Sequence, residues 1–443
     1  MSNLVVKRLP AESGISGWEA ISKRVLPVRT LDGDISADWL IVGGGFAGLS
    51  AARRLAQLRP GDRIVLLEAG EIAKGPAGRN SGYMIDVPHN LSSGEYSVAG
   101  EAETRAEIAQ NRFAIAFAAD AAAEYGMAAH TFDPSGKINA AATERGMTLN
   151  ANYGRSLKSI GEEHRFLDAA EMRELTGSSY YLGGLYTPGT MMIQPADYIR
   201  GFAAGLFSKV DMFEHSPVLN LERTGGTWRA RSRNGSVSAP KVILGVNGHI
   251  DDFGYFRGRL MHIFTYASMT AAFTAKPTGK DRWALLPADP MGATLRKISV
   301  GGSARIVIRT RFTYDWPVQI SEKRLAGIAA EQRASLDARF ADLKDVPFEY
   351  VWAGRLCLSR NHVPAFGEIE PGLYSACCEN GLGTVKSTLA GVMAADLATG
   401  TRSDMLDKYA DQPQPTRLPP EPLAWLGINA TIRWQELRAG REG

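Results

Sequence analysis

Three glycines, Gly43, Gly45 and Gly48, stand between an apolar run and a helical pattern, and an acid, Glu68, follows about 20 residues after the last of them. Together they can hold a dinucleotide. Gly43 permits a tight turn, Gly45 lets backbone approach a pyrophosphate, and Gly48 lets the next helix lie against the strand. Phe46 and Ala47 open that helix, whose free N–H groups and positive dipole end would face the anion. Glu68, with Ala69 beside it, can accept hydrogen bonds from both hydroxyls of a ribose. An acid rather than an arginine there disfavours a 2′-phosphate, which leaves FAD or NAD ahead of NADP. A glycine-rich turn in an empty α/β domain is the alternative.

The stretch 71–82 favours FAD. It is dense in small residues and donors, and Gly78, Arg79, Asn80, Ser81 and Gly82 can wrap a pyrophosphate and meet a ring system edge-on. A second set lies near the C-terminus, where a strand ending at Ala376 gives way to Gly381, Leu382, Gly383 and Thr384 and then to a helical run, 385–395. That offers another helix N-terminus to an electron-rich group.

The elements that must position these residues follow from periodicity. Asp38-Trp39-Leu40-Ile41-Val42 and Arg63-Ile64-Val65-Leu66-Leu67 are strands that flank the glycine helix, and 240–248 is a further strand running into Asn247 and Gly248. Residues 99–129, with Ile108, Phe113, Ile115 and Phe117 at helical spacing, form a long amphipathic helix. The β-branched and aromatic stretches 260–273 and 304–312 are strands. After Asp411 come a proline-rich arm and an amphipathic stretch, 426–438. The plain reading of that stretch is a helix packed on the body or on a sister subunit. Peripheral membrane contact through Trp425, Ile428, Ile432, Arg433 and Arg438 is the sharper one.

With 443 residues the chain can build two cores. A net charge of +3 without a long basic run speaks against nucleic acid. Cys357, Cys377 and Cys378 include two neighbours, ill suited to a disulfide and without metal-ligand spacing, so no metal site is expected and a reducing compartment fits. The first thirty residues are broken by Lys7, Arg8, Lys23 and Arg24, and no apolar run reaches the ~18 residues of a membrane span, so the expected location is the cytoplasm.

The sequence resembles the D-amino acid oxidase superfamily of flavoproteins, closest to the branch with gamma-glutamylputrescine oxidase, sarcosine oxidase and glycine oxidase. The resemblance rests on the lead-in Leu31-Asp32-Gly33-Asp34 through Asp38 and on Gly78-Arg79-Asn80-Ser81-Gly82, which departs from that branch's loop only at Ser81. It rests also on Gly183-Gly184-Leu185 through Tyr198, on Trp352-Ala353-Gly354-Arg355, and on Asn380-Gly381-Leu382-Gly383-Thr384.

The resemblance implies an α/β fold with an α+β substrate part. The FAD-binding domain would be Rossmann-like, of the glutathione-reductase type, and discontinuous, formed by 31–95, 190–258 and 350–411. An inserted sheet-based substrate domain would take 96–189 and 259–349, leaving 412–443 as arm and helix. It also places Val218, on a short strand at 215–219, beside the adenine, and Asn247, Gly248 and Gly354 near the cofactor, with plain sheet core as the alternative for the strands of Val218 and Asn247.

The chemistry that FAD supplies is hydride removal from the carbon next to a neutral amine, with hydrolysis of the resulting imine and O2 or another acceptor taking the electrons. Arg355 is the candidate carboxylate anchor, with a structural ion pair as the alternative, and the family's arginine stands one residue away in register. Tyr266, His262 and Trp352 are further lining candidates. Sarcosine oxidase relatives tether flavin through a cysteine; Cys357 lies in that region but off the spacing, so noncovalent FAD is expected. The substrate is then a small amine or amino acid, and a homo-oligomer is possible. Rival readings are an oxidase of a secondary amino acid such as sarcosine or pipecolate, a flavin-binding subunit of a larger complex, and a redox-inactive nucleotide sensor.

Overall fold

Trp39–Val42 and Ile64–Leu67 are apolar and buried at every position, the pattern of strands covered on both faces. In the computed structural model, which describes residues 3–27, 29–88, 100–274, 279–300, 302–315 and 319–443, they lie at the centre of a six-stranded sheet. Its order is Asp211–Phe213, Ile64–Leu67, Trp39–Val42, Lys241–Leu244, Leu373–Cys377, Ala365–Glu370. All neighbours are parallel except the last pair, an antiparallel edge hairpin.

Helices Phe46–Leu58 and Gly383–Thr399 cover one face, packed against each other. Gly391 permits that approach, since a Cβ there would stand 2.1 Å from the Ala47 carbonyl oxygen. The other face carries a five-stranded sheet, Asn3–Val5, Asn220–Thr224, Thr227–Arg231, Gly235–Ala239 and Gly33–Ser36. Leu40, Val65, Leu221, Trp228 and Val237 form the core between the two sheets. Helices, parallel sheet and second sheet stack as the expected dinucleotide-binding layers.

A separate large sheet runs Phe348–Ser359, Leu260–Thr270, Ser303–Tyr314, Thr294–Val300, Trp283–Pro287, Lys137–Ala141, Gly183–Thr187, Arg165–Leu167, with Phe273–Thr274 pairing on Ser303–Tyr314. The strand Phe348–Ser359 pairs along its length with Leu260–Thr270, so this sheet extends across the boundary expected at 350.

The long helix is Glu101–Glu124; Ile108, Ile115 and Phe117 are buried in it and Phe113 is exposed. The expected strand at 215–219 has no ladder partner: Pro217 lacks an N–H and His215 takes a left-handed φ of 51°. The backbone there instead bonds Gly70 and Glu68. Residues 89–95 of the expected FAD segment lie outside the described residues. Among the described residues no helix is long and apolar enough to cross a membrane.

Candidate functional site

The glycine turn is sterically forced. At Gly43 φ is 105° and a Cβ would lie 2.6 Å from the Gly245 carbonyl; at Gly48 it would lie 1.8 Å from the Gly43 carbonyl. Gly45 meets only Ala77 Cβ, at 3.5 Å, because its open side is a cavity. No side chain caps helix Phe46–Leu58 at Gly45, so its first N–H groups are free for an anion. Glu68 ends the neighbouring strand, accepting from Gly44 N at 2.8 Å on one oxygen and from Gly70 N at 2.9 Å on the other. Each oxygen keeps acceptor capacity for a sugar hydroxyl.

This cavity runs past Phe46, Ala47, Glu68, Ala69 and Val218 at one end to Arg79, Asn80, Ser81, Gly82, Asn247, Gly354, Arg355, Gly381, Leu382, Gly383 and Thr384 at the other. Gly48, Gly78 and Gly248 stand behind the lining: a Cβ on Gly78 would meet the Ala73 carbonyl at 1.8 Å, and on Gly248 the His262 ring at 2.9 Å. The second helix start, Leu382, is also uncapped by any side chain. An open anion cradle, a ribose-ready acid and a second free helix end fit FAD.

Contacts from other segments of the chain hold the loop 78–82. Arg79 donates to the carbonyls of Ser13 at 2.5 Å, Gly14 at 2.7 Å and Ala353 at 3.0 Å. Ser16 donates to the Gly78 carbonyl at 3.1 Å, and the Trp18 indole to that of Asn80 at 2.9 Å. From the large sheet, buried Arg296 donates to the carbonyls of Ser81, Gly82 and Ile193 and lies 5.0 Å over the Trp18 ring. Burial pushes its guanidinium down to about 10.

A second cavity, about 780 Å³, abuts the first and is large enough for a small molecule. Thr104 and Tyr153 contribute to it from two helices, Met261, Ile263 and Leu358 from the large sheet, and Tyr409 from helix Asp404–Ala410. The C-terminal helix, Leu423–Ala439, closes it with Ile428, Thr431, Ile432 and Gln435. That helix is tied down by Asn429, which bonds both N–H and C=O of Tyr314 at 3.0 and 2.9 Å, and by Glu436, which accepts from Phe312 N at 2.8 Å. Ile428 and Ile432 therefore face the body, while Leu426, Trp434 and Leu437 remain exposed. Phe312, Leu356, Glu379 and Leu382 line both cavities.

A family model described as DAO, FAD dependent oxidoreductase, matches residues 38–397. The chain belongs to the DAO family. Among curated relatives, the probable oxidoreductase OrdL of Rhizobium meliloti (strain 1021) is 25% identical over 415 residues, 89% of this chain and 91% of that one. Gamma-glutamylputrescine oxidoreductase of Escherichia coli (strain K12) is 24% identical over 407 residues, 90% and 92% of the two chains. Among solved structures, glycine oxidase from Geobacillus kaustophilus shares the fold at a TM-score of 0.70 and 18% identity, over 87% of this chain and 100% of that one.

Within this DAO-family fold the four candidates for substrate contact separate. Arg355 lines the flavin cavity and not the second one. Its guanidinium donates to His249 Nε2, and His249 Nδ1 bonds Asp252 at 3.2 Å. Burial and the Arg355 charge depress His249 to about 4, so the ring is neutral and can accept from the arginine. Burial pushes the carboxyl of Glu12, 3.5 Å from Arg79, up against the pull of the Arg355 and Arg79 charges.

Tyr266 and His262 line neither cavity. Thr265 faces the flavin cavity, so its neighbour Tyr266 projects to the other side of the strand, bonding Thr313 at 2.7 Å. His262 pairs with Asp251 at 2.8 Å. Trp352 is buried and donates to the Arg79 carbonyl at 2.9 Å, holding the loop from behind. Sequence reasoning misses Glu12, Ser13, Trp18, His249, Arg296 and Glu379. Only Glu379 carries a local signal, an acid set directly before Asn380-Gly381 in a stretch of small and apolar residues.

Proposed function

We propose that this FAD-dependent oxidoreductase oxidises the C–N bond of a small amine or amino acid, in the manner of gamma-glutamylputrescine oxidase. The observation that carries this reading is the junction of a channel lined by the glycine turn, Glu68 and the loop 78–82 with a separate, mostly apolar cavity. The chemistry that bound FAD would supply is acceptance of a hydride from the carbon next to nitrogen, leaving an imine for water to hydrolyse. The chain's own task is positioning and desolvation. Gly43 to Gly48 and Glu68 hold the nucleotide half, and the loop 78–82 with Gly381 to Thr384 holds the ring half. Phe312, Leu356 and Leu382 exclude water where substrate meets ring.

Noncovalent FAD is supported by Cys357, which is fully buried and lines neither cavity; hydrogen bonding with Cys378 and burial push its thiol up, away from a reactive thiolate. Exposed Leu426, Trp434 and Leu437 favour a second reading, a flavin subunit that docks a partner or sister subunit through its C-terminal helix.

The test is anaerobic addition of amines, amino acids and N-methyl amino acids to the yellow holoenzyme, with 2-hydroxy acids as a contrasting set. Bleaching by an amine, followed by return of colour with O2 or a dye, is expected. Bleaching by hydroxy acids alone contradicts the assignment, and the mass of the native particle separates the subunit reading from a free enzyme.

A further inference from the structure

Glu379 occupies the wall shared by the two cavities. Its Oε1 accepts from Asn247 Nδ2 at 2.8 Å, while Oε2 is buried with no protein partner. Among the described residues no ion pair forms on it. The titratable groups that couple to it are Arg355, Cys357, Cys377, Cys378 and Tyr409, and Glu103, Glu107, His362, Lys386 and the exposed Lys408 line the same second cavity. Burial pushes its carboxyl up to about 7, against the pull of its own backbone N–H, of Asn247, of Arg355 and of the nearby Cys357 backbone N–H. Leaving a buried carboxylate half-satisfied costs stability, and folding alone gains nothing from it at this position. A cationic ligand would supply the missing donors.

We propose that Glu379 binds the ammonium end of the substrate where the second cavity meets the flavin channel and takes one of its protons. In that step an N–H bond breaks, its electron pair stays on nitrogen, and an O–H bond forms on Glu379, leaving the neutral amine that oxidation requires. The ligand class is an aliphatic amine. Arg355, the guanidinium suited to a carboxylate, is turned to His249 in the other cavity, and Lys386 is paired to Glu107 at 2.7 Å. Met261, Ile263, Leu358 and Ile428 offer the amine's carbon chain an apolar wall. This inference rests on the proposed amine oxidation, and its test uses ligands that cannot be oxidised.

The test is calorimetric titration of the FAD-loaded enzyme with tert-butylamine and with 2-aminoisobutyrate, neither of which has a hydrogen on the carbon next to nitrogen. Affinity for tert-butylamine should rise with pH through about 7, as Glu379 ionises, and then level off. Glu379→Gln should weaken it by about 10-fold or more and remove the rise, and Glu379→Asp should restore the pH dependence. Unchanged affinity in Glu379→Gln with normal flavin content, or binding of 2-aminoisobutyrate alone, overturns the inference. If tert-butylamine binds as described while no amine bleaches the flavin, the site stands and amine oxidation fails. Bleaching by amines with Glu379→Gln indistinguishable from wild type means the reverse.

Discussion

The walls of the two cavities are made of different material. Gly43, Gly45, Gly354, Gly381 and Gly383 give the flavin channel much of its surface as bare backbone, set at helix starts and strand ends. The second cavity is walled by side chains, Tyr153, Met261, Leu358, Tyr409 and Ile428 among them, drawn from elements far apart in the chain. In a backbone-walled site an added side chain either meets neighbouring backbone or takes up cofactor space, whereas a side-chain-walled one can be reshaped one residue at a time. Substitutions in the first should therefore be read out in flavin, and in the second in substrate.

The largest effect is expected from Gly48→Ala, whose methyl would stand 1.8 Å from the Gly43 carbonyl with only backbone to yield. The protein should purify colourless, as checked by its visible absorbance. Trp18→Ala removes a fully buried indole that holds Asn80 and underlies Arg296, at a cost of ~3–5 kcal/mol. Denaturant unfolding should show that loss, together with weaker FAD retention, although Trp18 touches neither cavity.

Glu379→Gln probes the junction through pH. A carboxyl raised to about 7 when folded, against the ordinary 4.5 of a solvated glutamate, holds its proton more tightly in the native protein. Its contribution is present at low pH and lost as pH rises from the lower value through the upper. In the flavin-free protein the glutamine variant should therefore match wild type in acid and exceed it by at most about 3 kcal/mol above neutrality, seen in unfolding curves across pH.

Glu68→Ala should raise the Kd for FAD by about 10- to 100-fold, measured by fluorescence titration of the apoprotein, since a charged acceptor is lost. The smallest effect sharpens the contrast most. Ile428→Trp should raise KM for a bleaching amine by about 10-fold while leaving flavin content unchanged, because the added bulk enters only the second cavity. Loss of flavin in that variant would break the distinction between the two regions.

That distinction also explains what the sequence disclosed. Gly43 to Glu68 is one continuous strand, turn, helix and strand, so spacing alone recovers the nucleotide half of the site, and the parallel sheet follows from strands that are apolar throughout. Arg296 and Gly82, or Trp18 and Asn80, are joined only by chain topology, and no local pattern links them. Tyr266 shows the limit of placing a side chain from its strand, since its neighbour Thr265 holds the cavity face. The C-terminal helix is visible as amphipathic, yet its inner face, Ile428 and Ile432, closes a cavity that only the folded chain creates.

On the proposed reading, cofactor and substrate occupy separate cavities that meet at Glu379, Leu356, Leu382 and Phe312. A crystal structure of the FAD-loaded enzyme soaked with tert-butylamine tests this most directly. Nucleotide along the glycine channel, with the amine nitrogen in the second cavity at hydrogen-bond distance from Glu379, is the predicted result. An amine bound elsewhere, or a flavin ring lying inside the second cavity, would contradict it.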